Sequence, residues 1–239
     1  GNKARVVVAE GGAVRSWHLS HEPEPDEAYA DRVEITCLAG ALVNGTWWVW
    51  WGDARGRLAR RDVSAQLAPA PDLEPPAHDL NDTKAQVIVR DGGSIRGVAI
   101  DWVSGRVYWT AAPGGDSGEL GGGVYCAALD GRRRVTLHAR DAAEPDDIVI
   151  HNDTRQMFWS ERGAESGVMC AGLDGAGARW LVRRRVRRVT ALALDAAARR
   201  LYFVDAYYDT MESVALDGGA RVLIAQFTHR PSGAPLPPH

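Results

Sequence analysis

Several shortages in this sequence each exclude something. Its 239 residues include only three cysteines, Cys37, Cys126 and Cys170, with no C-x-x-C pair and no Cys/His spacing suited to a metal. Neither a disulfide framework nor a zinc site is therefore expected. Each cysteine lies in a short apolar run, such as Val124-Tyr125-Cys126-Ala127, and reads as a small buried hydrophobe. No apolar run approaches the length of a membrane span. Lys+Arg number 28 against 31 Asp+Glu, a net charge of -3, so no overall basic field points to nucleic acid. Lysine is nearly absent, only Lys3 and Lys84, which reads as base-composition bias. No signal peptide precedes Val6, and the chain is expected to begin inside a longer protein.

Catalytic motifs are missing as well. There is no G-x-S-x-G elbow, no H-E-x-x-H and no Walker loop. Gly121-Gly122-Gly123 is followed by no helical pattern, so it does not cradle phosphate. Asp146 and Asp147 are adjacent, and neighbours on a strand point to opposite faces, so they read as one solvated and one structural carboxylate. No catalytic residue, cofactor or resident metal is expected.

Asparagine is scarce but informative. Three of the four, Asn44, Asn81 and Asn152, head N-x-[ST] sequons. With Ser and Thr this sparse, chance would supply roughly 0.3 sequons. All three fall in expected loops, so they are candidate glycosylation sites and favour the secretory pathway.

What is abundant is tryptophan, nine against three phenylalanines, together with 26 glycines. That composition leans to an all-β fold with many flat, half-buried slots for rings. Aromatic pairs end four apolar runs: Trp50-Trp51-Gly52-Asp53, Tyr108-Trp109-Thr110-Ala111, Phe158-Trp159-Ser160-Glu161 and Tyr202-Phe203-Val204-Asp205. The pairs are separated by 58, 50 and 44 residues. A Leu-Asp-Gly marker recurs at Leu129, Leu173 and Leu216. An apolar run ending at Asp101, His151 or Asp195 stands seven residues before its aromatic pair in each of three units. Runs of four to seven residues between turn signals are strands. Four antiparallel strands per unit, repeated every 40 to 50 residues, describe a β-propeller blade, which must share its core with its neighbours. Val6 to Leu19 reads as two strands of a further, partial blade. The expectation is one incomplete propeller over 1–239, with insertion loops near 20–32 and 64–84 and a Pro-rich tail at 228–239.

These motifs resemble the YWTD repeats, also called class B repeats, of the low-density lipoprotein receptor and its related endocytic receptors. Tyr108-Trp109-Thr110 matches three of the four name-giving residues, and Leu201 to Asp209 is similar to a blade of the large receptor-related members. The resemblance implies a six-bladed ring, of which this chain supplies about five blades. It also implies an ectodomain at the cell surface that cycles through endosomes. Protein or lipoprotein ligands follow from it, as do flanking EGF-like and cysteine-rich class A modules outside this chain. The motif's Asp is kept at Asp53 and Asp205 but replaced by Ala111 and Glu161, so those two blades must use other contacts. Alternatives of the same fold are a matrix scaffold, a growth-factor co-receptor module and a calcium-dependent propeller hydrolase.

Two further features are candidates for function. Arg183, Arg184, Arg185, Arg187 and Arg188 form the densest charge run, expected on one rim, where it is either a solvated loop or a docking patch for an acidic partner or sulfated glycans. His151 stands where the other units carry Asp, and so is a candidate pH switch beside a sequon, with neutral drift as the alternative. In the cluster Trp47, Trp48, Trp50 and Trp51, alternate rings face each side of a strand, mainly as filling between blades.

Overall fold

A computed structural model describes residues 4–10, 13–19, 35–64, 85–90, 93–113, 122–140 and 143–227. The expected loops near 20–32 and 64–84, the tail and Asn81 lie outside the described residues, apart from Ser64 at the start of the second loop. Eighteen strands appear among the described residues. β1 (Ala4–Glu10) and β2 (Ala13–Leu19) form a two-stranded antiparallel sheet. The rest form four antiparallel meanders of four strands each.

The structure divides into two compact units, Gly1–Asp141 and Ala142–His239. The first holds β3 (Ile35–Val43), β4 (Thr46–Asp53), β5 (Arg57–Asp62) and β6 (Gln86–Arg90) as one blade. Its second blade is β7 (Ile95–Asp101), β8 (Arg106–Ala111), β9 (Gly123–Ala128) and β10 (Val135–Ala139). The second unit holds β11 (Pro145–His151), β12 (Gln156–Glu161), β13 (Gly167–Gly172) and β14 (Arg179–Val182). Its second blade is β15 (Val189–Asp195), β16 (Arg200–Asp205), β17 (Thr210–Ala215) and β18 (Val222–Gln226).

The paired aromatics explain how blades stack. Adjacent strand residues point to opposite faces. Within each unit, the first ring of one blade's pair and the second ring of the next blade's pair meet in the gap between the two blades. Trp50 and Trp109, both fully buried, share one apolar cluster in the first unit with Leu58, Ile95 and Val107. Phe158 and Phe203 share the corresponding cluster of the second unit with Val168, Leu192 and Leu201. Burying rings of this size contributes on the order of 2–3 kcal/mol each. Stacking makes no use of disulfides, since Cys37, Cys126 and Cys170 all remain thiols.

The Leu-Asp-Gly marker has two jobs. The Asp carboxylate accepts the N–H two residues on: Arg132 at 3.0 Å, Ala176 at 2.9 Å and Gly219 at 2.8 Å from Asp130, Asp174 and Asp217. The Gly takes a left-handed φ of 86°, 85° or 96° at Gly131, Gly175 and Gly218, which a residue with a Cβ adopts at a cost. Gly131 also abuts the preceding blade. A Cβ there would lie 2.1 Å from the carbonyl oxygen of Ile88 in β6.

Candidate functional site

The motif Asp closes the strand ends of its own blade. Oδ1 of Asp53 accepts the N–H of Arg55 (2.8 Å) and Arg57 (3.0 Å), and its Oδ2 accepts Nε of Arg57 (2.7 Å). Asp205 is fully buried and collects four backbone N–H groups, from Arg187 (2.7 Å), Arg188 (3.3 Å), Tyr207 (2.8 Å) and Tyr208 (3.3 Å). It thereby ties the β14–β15 link to the β16–β17 turn. Glu161 supplies the missing contact in its own blade by accepting the Glu144 N–H (3.2 Å) and Nε1 of Trp159 (3.0 Å). Ala111 has no carboxylate, and at this place the Ala112 N–H donates to the Ser94 carbonyl (2.8 Å).

Asp205 therefore fixes the backbone of the arginine run. A second brace is Arg221, at the start of the last hairpin's return. Its guanidinium donates to the carbonyls of Arg184 and Arg185, the latter at 3.0 Å, and is itself held by Glu212 (2.6 and 2.9 Å). Arg185 takes a left-handed φ of 55° in this loop. The side chains above this braced backbone divide into two kinds. Arg183 pairs with Glu165 and lies over the ring of Trp180, and Arg187 lies 4.7 Å over Tyr207. Arg184, Arg185 and Arg188 are exposed and make no ion pair among the described residues. Beside them Tyr207 and Tyr208 remain 56% and 40% exposed, packed edge to face at 4.9 Å. The tyrosines were not singled out by sequence reasoning, because only folding brings the 206–209 turn against the 183–188 loop.

His151 does the work of an Asp in its turn. Asp101 accepts the N–H groups of Val103 (3.0 Å) and Ser104 (3.1 Å), and Asp195 accepts that of Ala198 (2.8 Å). At the equivalent place, Nδ1 of His151 accepts the N–H of Thr154 at 3.3 Å. An accepting Nδ1 requires the neutral ring with its proton on Nε2. The ring is 3% exposed, and Nε2 is buried with no hydrogen-bond partner.

The carboxylate pair in β11 behaves differently from the expectation of one solvated group. Asp146 is bound to Arg162 at 2.9 Å, with little side-chain exposure. Asp147 reaches across to the neighbouring blade: its Oδ2 accepts the N–H of Leu192 (2.7 Å) and its Oδ1 that of Ile148 (2.8 Å). Burial pushes its carboxyl up to about 6, against the pull of those two bonds. Both members are thus structural. Among the described residues no group of three or more His, Cys, Asp or Glu is placed to hold a metal ion. Nor is any described helix long and apolar enough to cross a membrane.

The sequons differ in setting. Asn44 sits exposed at the tip of the β3–β4 hairpin with a left-handed φ of 51°, followed by Gly45 at 78°. Asn152 is half-buried, and its Oδ1 is enclosed with no hydrogen-bond partner.

Comparison with known proteins adds the family context. No family model matches the chain. It is 28% identical over 141 residues to the vitellogenin receptor of Solenopsis invicta, covering 58% of this chain and 7% of that protein. It is 36% identical over 136 residues to low-density lipoprotein receptor-related protein 8 of Gallus gallus, covering 56% of this chain and 14% of that protein. The chain is similar to low-density lipoprotein receptor-related proteins. A third relative of this kind is the human low-density lipoprotein receptor-related protein 5-like protein, 29% identical over 120 residues, half of this chain and 45% of that one. The chain thus spans less than half the length of each of these receptor-related relatives. Among solved structures, a chain from the crystal structure of a nidogen/laminin complex superposes with a TM-score of 0.69 at 20% identity, over 93% of this chain and 74% of that one. That likeness, with the four-stranded blades, shows the fold to be a YWTD-type β-propeller.

Proposed function

We propose that this chain is an extracellular propeller module of an endocytic receptor resembling the low-density lipoprotein receptor-related proteins. In this reading it binds protein or lipoprotein ligands and has no catalytic role. The observation that carries the reading is the arginine loop 183–188, whose backbone is braced from below by Asp205 and Arg221 while three guanidiniums stay exposed and make no ion pair among the described residues. Bracing lowers the entropy lost when a partner docks. The similarity in sequence to receptors supports the same assignment. A glycan belongs on Asn44, whose exposed hairpin tip leaves it room, rather than on the half-buried Asn152.

Acid-dependent release is assigned to His151. Protonation turns Nδ1 from acceptor to donor, so the bond from the Thr154 N–H is lost and the 152–155 turn loosens, with the Arg155 charge in the same turn adding repulsion. The flanking EGF-like and class A modules belong to the same reading.

The test is surface binding of the full chain to a panel of lipoproteins and matrix proteins at about pH 7.4 and about pH 5.5. The reading predicts binding of at least one ligand at the higher pH, weakened by R184E/R185E, and release at the lower pH that H151D suppresses. No binding to any panel member would overturn it. Binding unaltered by R184E/R185E would move the site elsewhere.

A further inference from the structure

The exposed end of the second unit presents more than positive charge. Two tyrosine rings remain open to solvent in the 206–209 turn, and Arg187 stacked on Tyr207 joins them to the loop whose Arg184, Arg185 and Arg188 make no ion pair among the described residues. Exposed paired rings are uncommon in a tight turn and are favoured anchors at interfaces. The local acids are mostly spent: Asp205 accepts loop N–H groups, Glu212 holds Arg221 and Glu165 is engaged by Arg183. Among the described residues of this turn, Asp209 is the exposed carboxylate left to oppose an incoming anion.

A sulfated glycan would satisfy the guanidiniums by charge but offers little apolar surface to the rings. A peptide carrying carboxylates on either side of an apolar side chain satisfies both. Guanidinium forks match carboxylates in bidentate geometry, and ring faces accept apolar or aromatic groups.

We infer that the 183–188 loop and the 206–209 turn together bind an acidic, extended peptide segment of a partner protein. Its carboxylates lie on Arg184, Arg185 and Arg188, and an apolar or aromatic side chain lies against Tyr207 and Tyr208. The inference rests on the reading above that this end of the molecule takes protein ligands, and it adds the chemistry of what is recognised.

The test uses the full chain and three fluorescent probes: a peptide of Glu-Asp-Phe repeats, a peptide of Glu-Asp-Ser repeats, and a heparin oligosaccharide, at low and at physiological salt. The inference predicts that the Phe peptide binds best and keeps binding at physiological salt. R184E/R185E weakens it about tenfold or more. Y207A/Y208A weakens the Phe peptide several-fold while leaving the Ser peptide and the oligosaccharide unchanged. Both variants alter exposed side chains only, and circular dichroism confirms that they fold. Equal binding of all three probes, or indifference of the Phe peptide to the tyrosine pair, would overturn the inference in favour of a non-selective anion patch. If R184E/R185E abolishes capture of panel proteins while neither peptide binds, the protein-docking reading survives and the peptide assignment fails.

Discussion

Asp147 shows how a single residue can couple two blades and respond to pH. Its carboxylate joins β11 to β15 through the Leu192 N–H, yet burial disfavours its charge and holds its pKa at about 6 against an ordinary 3.8. A raised folded-state pKa makes the charged form costly in the fold. Stability from this group is therefore fully present below pH 3.8 and is lost as pH rises through about 6. The difference amounts to on the order of 3 kcal/mol. D147N should abolish this dependence. Thermal melts of both proteins from pH 7.5 down to 4.5 should show wild type gaining on the variant as acid is added, and parallel curves would contradict the assignment.

At the scale of the strand and turn, the repeated markers act as parts of the blade-to-blade fit. Gly131 and Gly105 both take positive φ, but only Gly131 touches another blade. Gly105→Ala meets nothing within 4 Å and should cost only the left-handed backbone penalty, about 1 kcal/mol. Gly131→Ala drives a Cβ into the Ile88 carbonyl and should cost roughly twice that or more. Chemical denaturation of the two variants separates the effects, and equal losses would contradict a role for Gly131 in stacking.

Much of this scale was legible in the sequence, because turn chemistry and aromatic spacing are local. Val135–Ala139 lies where the repeat places it, and within each unit one ring from each of two neighbouring pairs fills the gap between their blades. What was not legible depends on partners distant along the chain. Arg221 holds carbonyls 36 and 37 residues away, and Asp147 finds its acceptor role 45 residues on. Glu161 replaces the motif Asp because its longer side chain still reaches the Glu144 N–H, a substitution that a motif comparison scores as a loss. Nor does a sequon reveal that the Asn152 amide oxygen is enclosed.

For the whole molecule, the account makes each blade incomplete alone and stable through the apolar gap it shares with a neighbour. In the proposed reading, binding falls to loops at the blade ends such as 183–188, where a braced backbone carries exposed side chains. Function and stability should separate accordingly: R184E/R185E should leave the melting temperature nearly unchanged, whereas a ring removed from a gap should weaken two blades together. The most direct measurement is hydrogen exchange, strand by strand, on Phe203→Ala. Phe203 lies in β16 but packs with Phe158 and Val168 of the preceding blade. The variant should lose roughly 3–5 kcal/mol of stability and show faster exchange in β12 and β13 as well as in β16 and β17. Exchange that quickens only within β15–β18, with β11–β14 protected as in wild type, would contradict the shared-core account.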